Sequence, residues 1–221
     1  QTEALHEYEK ASKGPIKLYP SLELVRLEQK FFNKKKGKIL EYGFGSGCNS
    51  IHLLKCGYRL FGLDVSKGML KVTSNRLKKE KLTKNCNLKI LGLNATKLPY
   101  KKNFFDYIIA MSVLSLLGSE KKIKNLLREF KRVLKPNGKL ILDINDQKSE
   151  FALNKKQIEK NVFLTKPVND KEIRTFCLKN EKDFTKIVRP YFSIKDIGFS
   201  SHKLFGREIT EFIISAQNKA K

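Results

Sequence analysis

The sequence of 221 residues is short of several residue types, and each shortage narrows the classes of protein it can be. Its four cysteines, at positions 48, 56, 86 and 177, form no CxxC pair and no Cys/His group at zinc-binding spacing. We therefore expect free thiols in a reducing cytoplasm and no metal site. No apolar run approaches the ~18–20 residues that cross a bilayer, so we expect no membrane partner.

Acidic residues are scarce as well, with 22 Asp and Glu against 46 Lys and Arg and a formal net charge of +24. Such an excess is compatible with nucleic-acid binding. However, only 8 of the basic residues are Arg, the usual choice for bidentate recognition of phosphates and bases. The lysines are spread along the chain without a run of five like charges, which favours solvated lysine faces over a nucleic-acid footprint.

Apolar residues are plentiful enough for a core, because Leu, Ile, Val and Phe make up 69 of the 221 residues. Their spacing predicts short strands that alternate with helices from residue 38 onward. Strands are expected at 38–44, 58–65, 87–94, 105–113 and 139–145, and helices at 48–57, 66–80, 120–134 and 181–188. This alternation indicates an α/β fold, a doubly wound and mostly parallel seven-stranded sheet of the Rossmann-like type.

The two ends of the chain differ from this pattern. Pro20 followed by Ser21 predicts a helix start. Segments 191–201 and 209–217 predict two strands joined by a connection at 202–208, which can pair only as an antiparallel hairpin. We expect one domain, 1–221, made of four parts. They are an N-terminal helical lid at 1–37, a cofactor-binding core at 38–145, a substrate-side insertion at 146–190 that is irregular over 146–175, and terminal antiparallel strands at 191–221.

The most informative segment is ILEYGFGSGCNS, residues 39–50, in which a strand runs through three glycines into a helix. Gly43, Gly45 and Gly47 let the backbone turn sharply and approach a ligand, and the helix N-terminus adds free N–H groups. Asp64 closes the second strand, where a carboxylate can accept hydrogen bonds from ribose hydroxyls. This pattern predicts a nucleoside-containing cofactor. A dinucleotide GxGxxG fingerprint would need glycine where Cys48 stands, which argues against NAD without excluding it.

Several motifs together resemble class I S-adenosylmethionine-dependent methyltransferases, in their small-molecule, type 11-like branch. The acidic-x-GxGxG motif spans Glu41 to Gly47, and Asp64 lies in GLDVSKGML. Asn94-Ala95 is followed by Leu-Pro-Tyr, where the family usually has Asp-Ala. FFDYIIAMSVLSLL and LKPNGKLIL, at 104–117 and 134–142, match the fourth and fifth elements. The resemblance covers residues 38–145 well and the last 30 residues in outline.

The resemblance implies S-adenosylmethionine as cofactor and assigns its contacts. The glycine backbone would pass under the methionine part, Glu41 would lie near the ammonium, Asp64 would hold the ribose, Asn94 would face the adenine amino group, and Met111 would lie near the methyl. The expected cofactor-binding residues are Glu41, Gly43, Phe44, Gly45, Gly47, Asn49, Asp64, Val65, Met69, Asn94, Ala95 and Met111. Asn94 keeps a carbonyl acceptor for the adenine but lacks the family's charge.

No residue is assigned as the general base, because the family's histidine after strand four is replaced by Ser115 and Leu116. The weak catalytic candidates are His202, Asp143 and Tyr19, and the substrate-contact candidates are Tyr19, Arg26, Arg174 and Arg207. A metal-dependent mechanism would need an Asp after strand four, where Met111 and Ser112 stand.

We expect methyl transfer to an O, N or S atom of a small molecule, without metal. Three alternatives stay open at this stage: an RNA methyltransferase, an NAD-binding oxidoreductase and a cofactor-binding protein without catalysis. If the lysines gather at the pocket mouth, the acceptor is expected to be anionic.

Overall fold

A seven-stranded sheet forms the centre of the molecule in the computed structural model, which describes residues 9–14, 16–32, 36–166, 171–204 and 206–219. The strand order is β3-β2-β1-β4-β5-β10-β9. The strands of this sheet are β1 (Lys38–Tyr42), β2 (Arg59–Asp64), β3 (Cys86–Ile90), β4 (Phe105–Ala110), β5 (Leu134–Asn145), β9 (Ser193–Leu204) and β10 (Arg207–Gln217). The first five run parallel, and β10 pairs antiparallel with both β5 and β9. The predicted fold class is confirmed.

Five α-helices have both of their ends within the described residues, and each begins where the sequence offers a cap or a tight turn. They are α1 (Leu22–Phe31), α2 (Cys48–Lys55), α3 (Lys67–Lys79), α4 (Glu120–Val133) and α5 (Glu181–Val188). Ser21, Ser66, Ser119 and Asn180 each accept a hydrogen bond from the backbone N–H three residues on, which satisfies a donor that the helix itself leaves free. The predicted helix start at Ser21 is confirmed.

Helices cover both faces of the sheet and close two cores. On one face, α4 buries Ile123, Leu127 and Phe130 against β4 and β5. On the other face, Leu24 of α1 and Leu53 of α2 pack with apolar side chains of β1, β4, β5 and β10. The parallel strands therefore read as nearly continuous apolar runs because both of their faces are buried.

The C-terminal hairpin is longer than the sequence predicted. β9 and β10 pair without interruption from the Ser193 pair to the Arg207 pair, apart from one irregularity at Ser215/Ala216. The expected connection at 202–208 was therefore wrong for most of its length, and His202 is a strand residue opposite Ile209. Cross-strand pairing extends the strand through this segment, because the short segment HKL has no strand periodicity of its own.

The segment predicted as irregular also contains a sheet. β6 (Lys156–Glu159), β7 (Val162–Thr165) and β8 (Ile173–Phe176) form a separate three-stranded antiparallel sheet. Each strand has only four residues, too few to display a period in the sequence. This small sheet packs against the 3-10 helix Ser115–Leu117 that follows β4; a Cβ on Gly118 would lie 2.7 Å from the carbonyl of Arg174. It therefore stands at the carboxyl edge of the main sheet.

Among the described residues, no helix combines the length and apolar character that crossing a membrane requires.

Candidate active site

A cavity of about 610 Å³ lies at the carboxyl ends of β1, β2 and β4. This is the edge where doubly wound sheets bind their ligands. The glycine turn, the end of β2, the loop after β3, the loop after β4 and the small sheet all contribute to its wall. The lining residues are Ala11, Tyr42, Gly43, Gly45, Leu63, Asp64, Val65, Ser66, Met69, Leu91, Gly92, Leu93, Ser112, Val113, Leu116, Leu117, Gly118, Ser119, Lys122, Glu172, Ile173 and Arg174.

The glycine turn is held in a conformation that only glycine adopts at little cost. Gly43, Gly45 and Gly47 have φ of 81°, 49° and 77°, in the left-handed region. A Cβ on Gly47 would lie 2.5 Å from Cγ2 of Thr73, whereas Gly45 has no neighbour within 4 Å of that position. Thr73 Oγ1 also donates a 2.7 Å hydrogen bond to the Gly45 carbonyl. The turn is therefore fixed from α3 and leaves open space above Gly45.

Glu41 lies beneath this turn rather than in the wall of the cavity. It is 2% exposed, and its Oε2 accepts a hydrogen bond from the Ser50 hydroxyl. Its Oε1 is buried without a hydrogen-bond partner. Burial, opposed by the Ser50 hydrogen bond and assisted by the nearby charge of Asp64, raises the pKa of Glu41 to about 8. A buried carboxyl oxygen without a partner is costly, so it is suited to a ligand cation.

Asp64 ends β2 and lines the cavity. Its Oδ2 accepts a 2.8 Å hydrogen bond from the Gly45 N–H and its Oδ1 a 3.0 Å bond from the Ser66 N–H. Burial raises the pKa of this carboxyl, backbone hydrogen bonds partly counter that, and the charge of Glu9 adds to it. Each carboxylate oxygen has a second lone pair, so Asp64 can be held by the backbone and still accept ribose hydroxyls.

The cavity wall after β3, where the adenine was expected to bind, is built from residues other than the predicted ones. Leu91, Gly92 and Leu93 line it, whereas Asn94 and Ala95 are exposed and are not among the lining residues. Asn94 was expected to face the adenine amino group, but the three residues before it form this part of the wall.

The end of β4 contributes a different residue from the one expected. The side chain of Met111 is 7% exposed and packs in the core beneath α1 and α2. Its neighbour Ser112 is exposed and lines the cavity. Ser112 has a φ of 56°, an uncommon conformation for a residue with a side chain. Residues strained in this way cluster at functional sites, and no pattern in the sequence indicated this one.

Some of the remaining predicted cofactor-binding residues line the cavity, and the others support the glycine turn from behind it. Val65 and Met69 line the cavity. Phe44 is 2% exposed, and its ring lies 2.8 Å from the position of a Cβ on Gly62. Gly47 caps α2, and Asn49 Oδ1 accepts a 3.0 Å hydrogen bond from the Ser21 N–H. Phe44, Gly47 and Asn49 therefore shape the turn and its cover rather than the cavity surface.

The N-terminal segment covers the glycine turn through one arginine. Arg76 of α3 donates hydrogen bonds to the carbonyls of Lys17, Leu18 and Ser46, at 3.1, 3.1 and 2.5 Å. Further along, the Glu9 carboxylate accepts from the Lys67 and Gly68 N–H groups at the N-terminus of α3. These bonds tie the described parts of this segment, 9–14 and 16–19, to α3 and the glycine turn, and the lid expected within 1–37 stays a prediction.

Beyond Ser112 the site is acidic. Asp143 of β5 is 1% exposed, and its Oδ1 accepts a 2.6 Å hydrogen bond from the Ser112 N–H while its Oδ2 is buried without a partner. Glu211 of β10 lies close enough to the Ser112 side chain for that hydroxyl to lower its pKa. Burial raises the pKa of Asp143 well above its usual range, and the charge of Glu211 raises it further. Burial also raises the pKa of Glu211.

A third carboxylate completes this acidic cluster, which we define as Asp143, Glu211 and Glu23. Glu23, in the first turn of α1, accepts 2.8 Å hydrogen bonds from the hydroxyls of Ser200 and Ser21. Burial raises its pKa, but its own backbone N–H, these two hydroxyls and the charge of His202 outweigh burial and lower it overall. The sequence did not identify Glu23 and Glu211 as site residues, because their proximity depends on how α1 packs on the terminal hairpin.

The predicted substrate residues are scattered. Tyr19 is 81% exposed and Arg26 is also exposed, and neither lines the cavity. Arg174 does line it and pairs with Glu159 at 2.5 Å. His202 is exposed on β9, close enough to influence the pKa values of Glu23 and Glu211. Arg207 begins β10, and its side chain lies outside the part of the chain that the structure describes.

The lysines do not gather at this cavity. Lys122 and Arg174 are the basic residues in its wall, and Asp64 and Glu172 oppose them. The condition for an anionic acceptor, lysines around the mouth, is therefore not met within the described residues. The net charge of +24 resides elsewhere on the surface.

One group of potential metal ligands occurs among the described residues, away from the cavity. Glu28, His52 and Cys56 place ligand atoms within 4.8 Å of one another. Glu28 is already engaged, since Lys36 Nζ lies 2.5 Å and the Tyr58 hydroxyl 2.6 Å from its Oε1. The ammonium occupies the position in which a cation would bind, so this group is an ion-paired network beneath α1.

The cavity fits a nucleoside-containing sulfonium cofactor on three observations. Open space lies above Gly45, a buried carboxyl oxygen of Glu41 lacks a partner, and Asp64 ends β2 at the ligand edge. Residues 40–142 match a family model described as a methyltransferase domain. Residues 40–142 thus form a methyltransferase domain of the class I S-adenosylmethionine-dependent type, whose cofactor is S-adenosylmethionine. The recognition made from the sequence is confirmed, and it is preferred to the NAD-binding alternative.

Known proteins agree with this class. A structure of a methyltransferase from Methanosarcina mazei aligns with a TM-score of 0.76 over 93% of this chain and 100% of that chain, at 21% identity, and so shows the fold. A demethylmenaquinone methyltransferase from a Geobacillus species is 34% identical over 37% of this chain and 32% of its own length. A tRNA (carboxymethyluridine(34)-5-O)-methyltransferase from Arabidopsis thaliana is 26% identical over 72% of this chain. The chain spans about a third of the length of these two relatives.

Proposed function

We propose that the chain transfers the methyl group of S-adenosylmethionine to an O, N or S atom of a small molecule, without a metal ion. The observation that carries this proposal is the position of Ser112. This residue lines the cofactor cavity and also contacts Asp143 and Glu211. An acceptor bound beside Ser112 would therefore lie between the cofactor and a set of polar groups.

The cofactor supplies a methyl group that is already activated on sulfur, so the protein's main contribution is orientation. Asp64 would hold the ribose, and the backbone at Gly43 and Gly45 would support the methionine part. Glu41 would compensate the charge of the ammonium from below the turn. Holding nucleophile and methyl in line contributes ~7–11 kcal/mol, and a positioned base contributes a further ~10²–10⁴-fold in rate.

A small acceptor is favoured by what surrounds the cavity. The N-terminal segment crosses one side through the Arg76 hydrogen bonds, and the small sheet stands on the other at Ile173 and Arg174. These covers leave about 610 Å³, a volume typical of metabolite pockets. The cytoplasmic location expected from the sequence stays a part of this proposal.

RNA is the second candidate, because the Arabidopsis relative is named for a tRNA substrate and matches over 72% of this chain. An RNA acceptor would need a basic track leading to the cavity, and the cavity wall carries balanced charges instead. Affinity for total RNA over a salt series separates the candidates, since phosphate contacts make binding fall steeply with salt.

The direct test is a screen with methyl-labelled S-adenosylmethionine against fractionated metabolites and total RNA. Label in a small-molecule fraction supports the proposal, and label only in RNA favours the second candidate. Calorimetry with S-adenosylhomocysteine, with NAD as a control, tests the cofactor independently of any acceptor. Binding of NAD alone would refute the assignment.

A further inference from the structure

The acidic cluster has the opposite sign to the chain that contains it. Three of only 22 acidic residues in a chain of net charge +24 meet at the ligand edge, on β5, β10 and α1. Chance placement of scarce acidic residues would scatter them over the surface among lysines. The proximity of these three acidic residues therefore requires an explanation in the packing or the function of this region.

Strand register places these carboxyls on one face. Asp143 lies directly opposite Ile213, and Glu211 lies two positions before Ile213 on the same strand, so both side chains point to the face covered by α1. Ser200 of β9 lies opposite Glu211 on that face and bonds Glu23. The acidic cluster thus lies between the first turn of α1 and the edge of the sheet.

Compensation of charge inside the cluster is incomplete. Lys17 and His202 are near enough to act on Asp143 or Glu211 through their charge. Even so, no ion pair within 4 Å joins a cation to Asp143 or Glu211 among the described residues, and Asp143 Oδ2 has no hydrogen-bond partner. Two neighbouring carboxyls of this kind, Asp143 buried and Glu211 partly buried, destabilise each other unless a proton or a cation intervenes.

We propose that the acidic cluster is the acceptor subsite of the methyltransferase and that it receives a protonated amine, whose nitrogen is the atom methylated. This inference rests on the proposed function and names the class of its acceptor. An ammonium carries up to three donors, which the Glu211 carboxylate and the Ser112 hydroxyl would accept, while the buried carboxyl of Asp143 would compensate the charge from beneath. The site is next to the cofactor cavity because Ser112 belongs to both.

The same carboxyls can prepare the amine for reaction. A protonated amine has no lone pair, so it first passes one proton to the Glu211–Asp143 pair. The neutral nitrogen then forms a bond to the methyl carbon while the carbon–sulfur bond breaks and sulfur keeps that electron pair. The products are a methylated ammonium and S-adenosylhomocysteine, and the carboxyl pair returns its proton to water. Burial raises the pKa of both carboxyls, which brings their proton affinity closer to that of an amine.

Other acceptor classes fit the cluster less well. A carboxylate or phosphate would meet three acidic groups at the reacting position and be repelled. A thiol or alcohol would leave the charge of the pair uncompensated. Among O, N and S acceptors, the cluster therefore selects nitrogen.

The test compares amines with matched neutral and anionic compounds. The probes are methylamine, n-butylamine, 1,4-diaminobutane, spermidine and 2-phenylethylamine, each set against the alcohol and the carboxylate of the same carbon skeleton where these exist. Binding is measured by calorimetry in the presence of S-adenosylhomocysteine, and methyl transfer is measured with labelled S-adenosylmethionine. We expect one or more amines to bind and to be methylated on nitrogen, while their alcohol and carboxylate counterparts do neither.

Variants then connect the preference to the cluster. Glu211→Gln and Asp143→Asn keep the shape but remove a charge, and we expect each to weaken amine binding by about 10- to 100-fold, as for loss of a charge-assisted hydrogen bond. Asp196→Asn is the matched control, because Asp196 is an exposed acidic residue of β9 opposite Ser215, at the other end of the hairpin. It should leave amine binding unchanged. Thermal unfolding and S-adenosylhomocysteine affinity show whether each variant keeps its fold.

The outcomes separate the two proposals. If S-adenosylhomocysteine binds and no amine in the panel is bound or methylated, the amine inference is overturned while the proposed function stands. Unchanged amine binding in both Glu211→Gln and Asp143→Asn also overturns it. If the protein binds no S-adenosylhomocysteine at all, the proposed function itself fails.

Discussion

The backbone N–H of Ser112 donates a 2.6 Å hydrogen bond to Oδ1 of Asp143, which joins the end of β4 to β5 at the wall of the cavity. The bond holds Ser112 at a φ of 56°, where a residue with a Cβ is strained. Its hydroxyl lies close enough to Glu211 to lower the pKa of that carboxyl. One residue therefore links the cofactor cavity to the acidic cluster.

Ser112 can be tested with two substitutions that have different effects on the backbone. Ser112→Gly relieves the left-handed strain, worth ~1–2 kcal/mol, although glycine also adds freedom to the unfolded chain. Ser112→Ala keeps the strain, and both variants lack the hydroxyl. We expect equal losses of methyl transfer in the two variants, with Ser112→Gly the more stable by chemical denaturation. Retained activity in Ser112→Ala would show that the hydroxyl has no part in the reaction.

Gly47 offers a test of how the glycine turn is fixed. An alanine there would have a φ of 77° and would place its Cβ 2.5 Å from Cγ2 of Thr73. We expect Gly47→Ala to lower the free energy of unfolding by ~1–2 kcal/mol for the backbone alone, with a further loss from the clash. Adding Thr73→Ser removes Cγ2 but keeps a hydroxyl for the Gly45 carbonyl, so it should recover only the second part. Failure of Thr73→Ser to recover any stability would show that the clash is relieved elsewhere.

Much of the fold could be predicted from the sequence, because its signals are local. Ser21, Ser66, Ser119 and Asn180 precede apolar periods and do cap helices. The strands β1 to β5 are apolar runs between breakers. The small sheet was missed because β6, β7 and β8 have four residues each, and the hairpin was longer than expected because pairing extends through His202.

The site was only partly predictable for a related reason. The glycine turn and Asp64 form a pattern along the chain, and the structure brings them together at the cavity. Glu23 and Glu211 are 188 positions apart in sequence and approach each other only through the packing of α1 on the hairpin. A charged residue in the apolar strand ITEFIISAQ is a signal that could have identified Glu211, since alternation places it on the face of Ile213.

Arg76 should control access to the cavity through the N-terminal segment. Its guanidinium donates hydrogen bonds to the carbonyls of Lys17, Leu18 and Ser46. A hydrogen bond from a charged donor contributes ~1.5–3 kcal/mol to stability. We expect Arg76→Ala to speed tryptic cleavage after Lys17 and to raise the dissociation rate of S-adenosylhomocysteine several-fold. Lys71→Ala, an exposed change on the same helix, is the control. Equal protection of Lys17 in both variants would contradict this role.

Asp64 should be required for cofactor affinity. Asn at this position would turn an amide N–H₂ group toward one of the backbone donors, of Gly45 or Ser66, that the carboxylate now accepts. We expect Asp64→Asn to weaken S-adenosylhomocysteine binding by about 10- to 100-fold and to destabilise the protein by ~1–3 kcal/mol. Asp106→Asn is matched in chemistry, because Asp106 also accepts a backbone N–H, from Lys38, at the opposite end of the sheet. An equal loss of cofactor affinity in Asp106→Asn would attribute the effect to stability alone.

Glu41 should couple cofactor binding to proton release. Its pKa of about 8 means that the free protein holds this proton at neutral pH, whereas the unfolded chain does not. Because the folded-state pKa is raised, the stability due to this group is full below its ordinary pKa of 4.5 and falls as pH rises through about 8. The ammonium of the cofactor would favour the charged carboxylate, so we expect binding at pH 7 to release a proton, approaching about one per cofactor. Calorimetry in buffers of different ionisation enthalpy measures the number of protons released.

Glu41→Gln should abolish this release and flatten the fall in stability over this pH range. An unchanged proton count in that variant would assign the proton to another group.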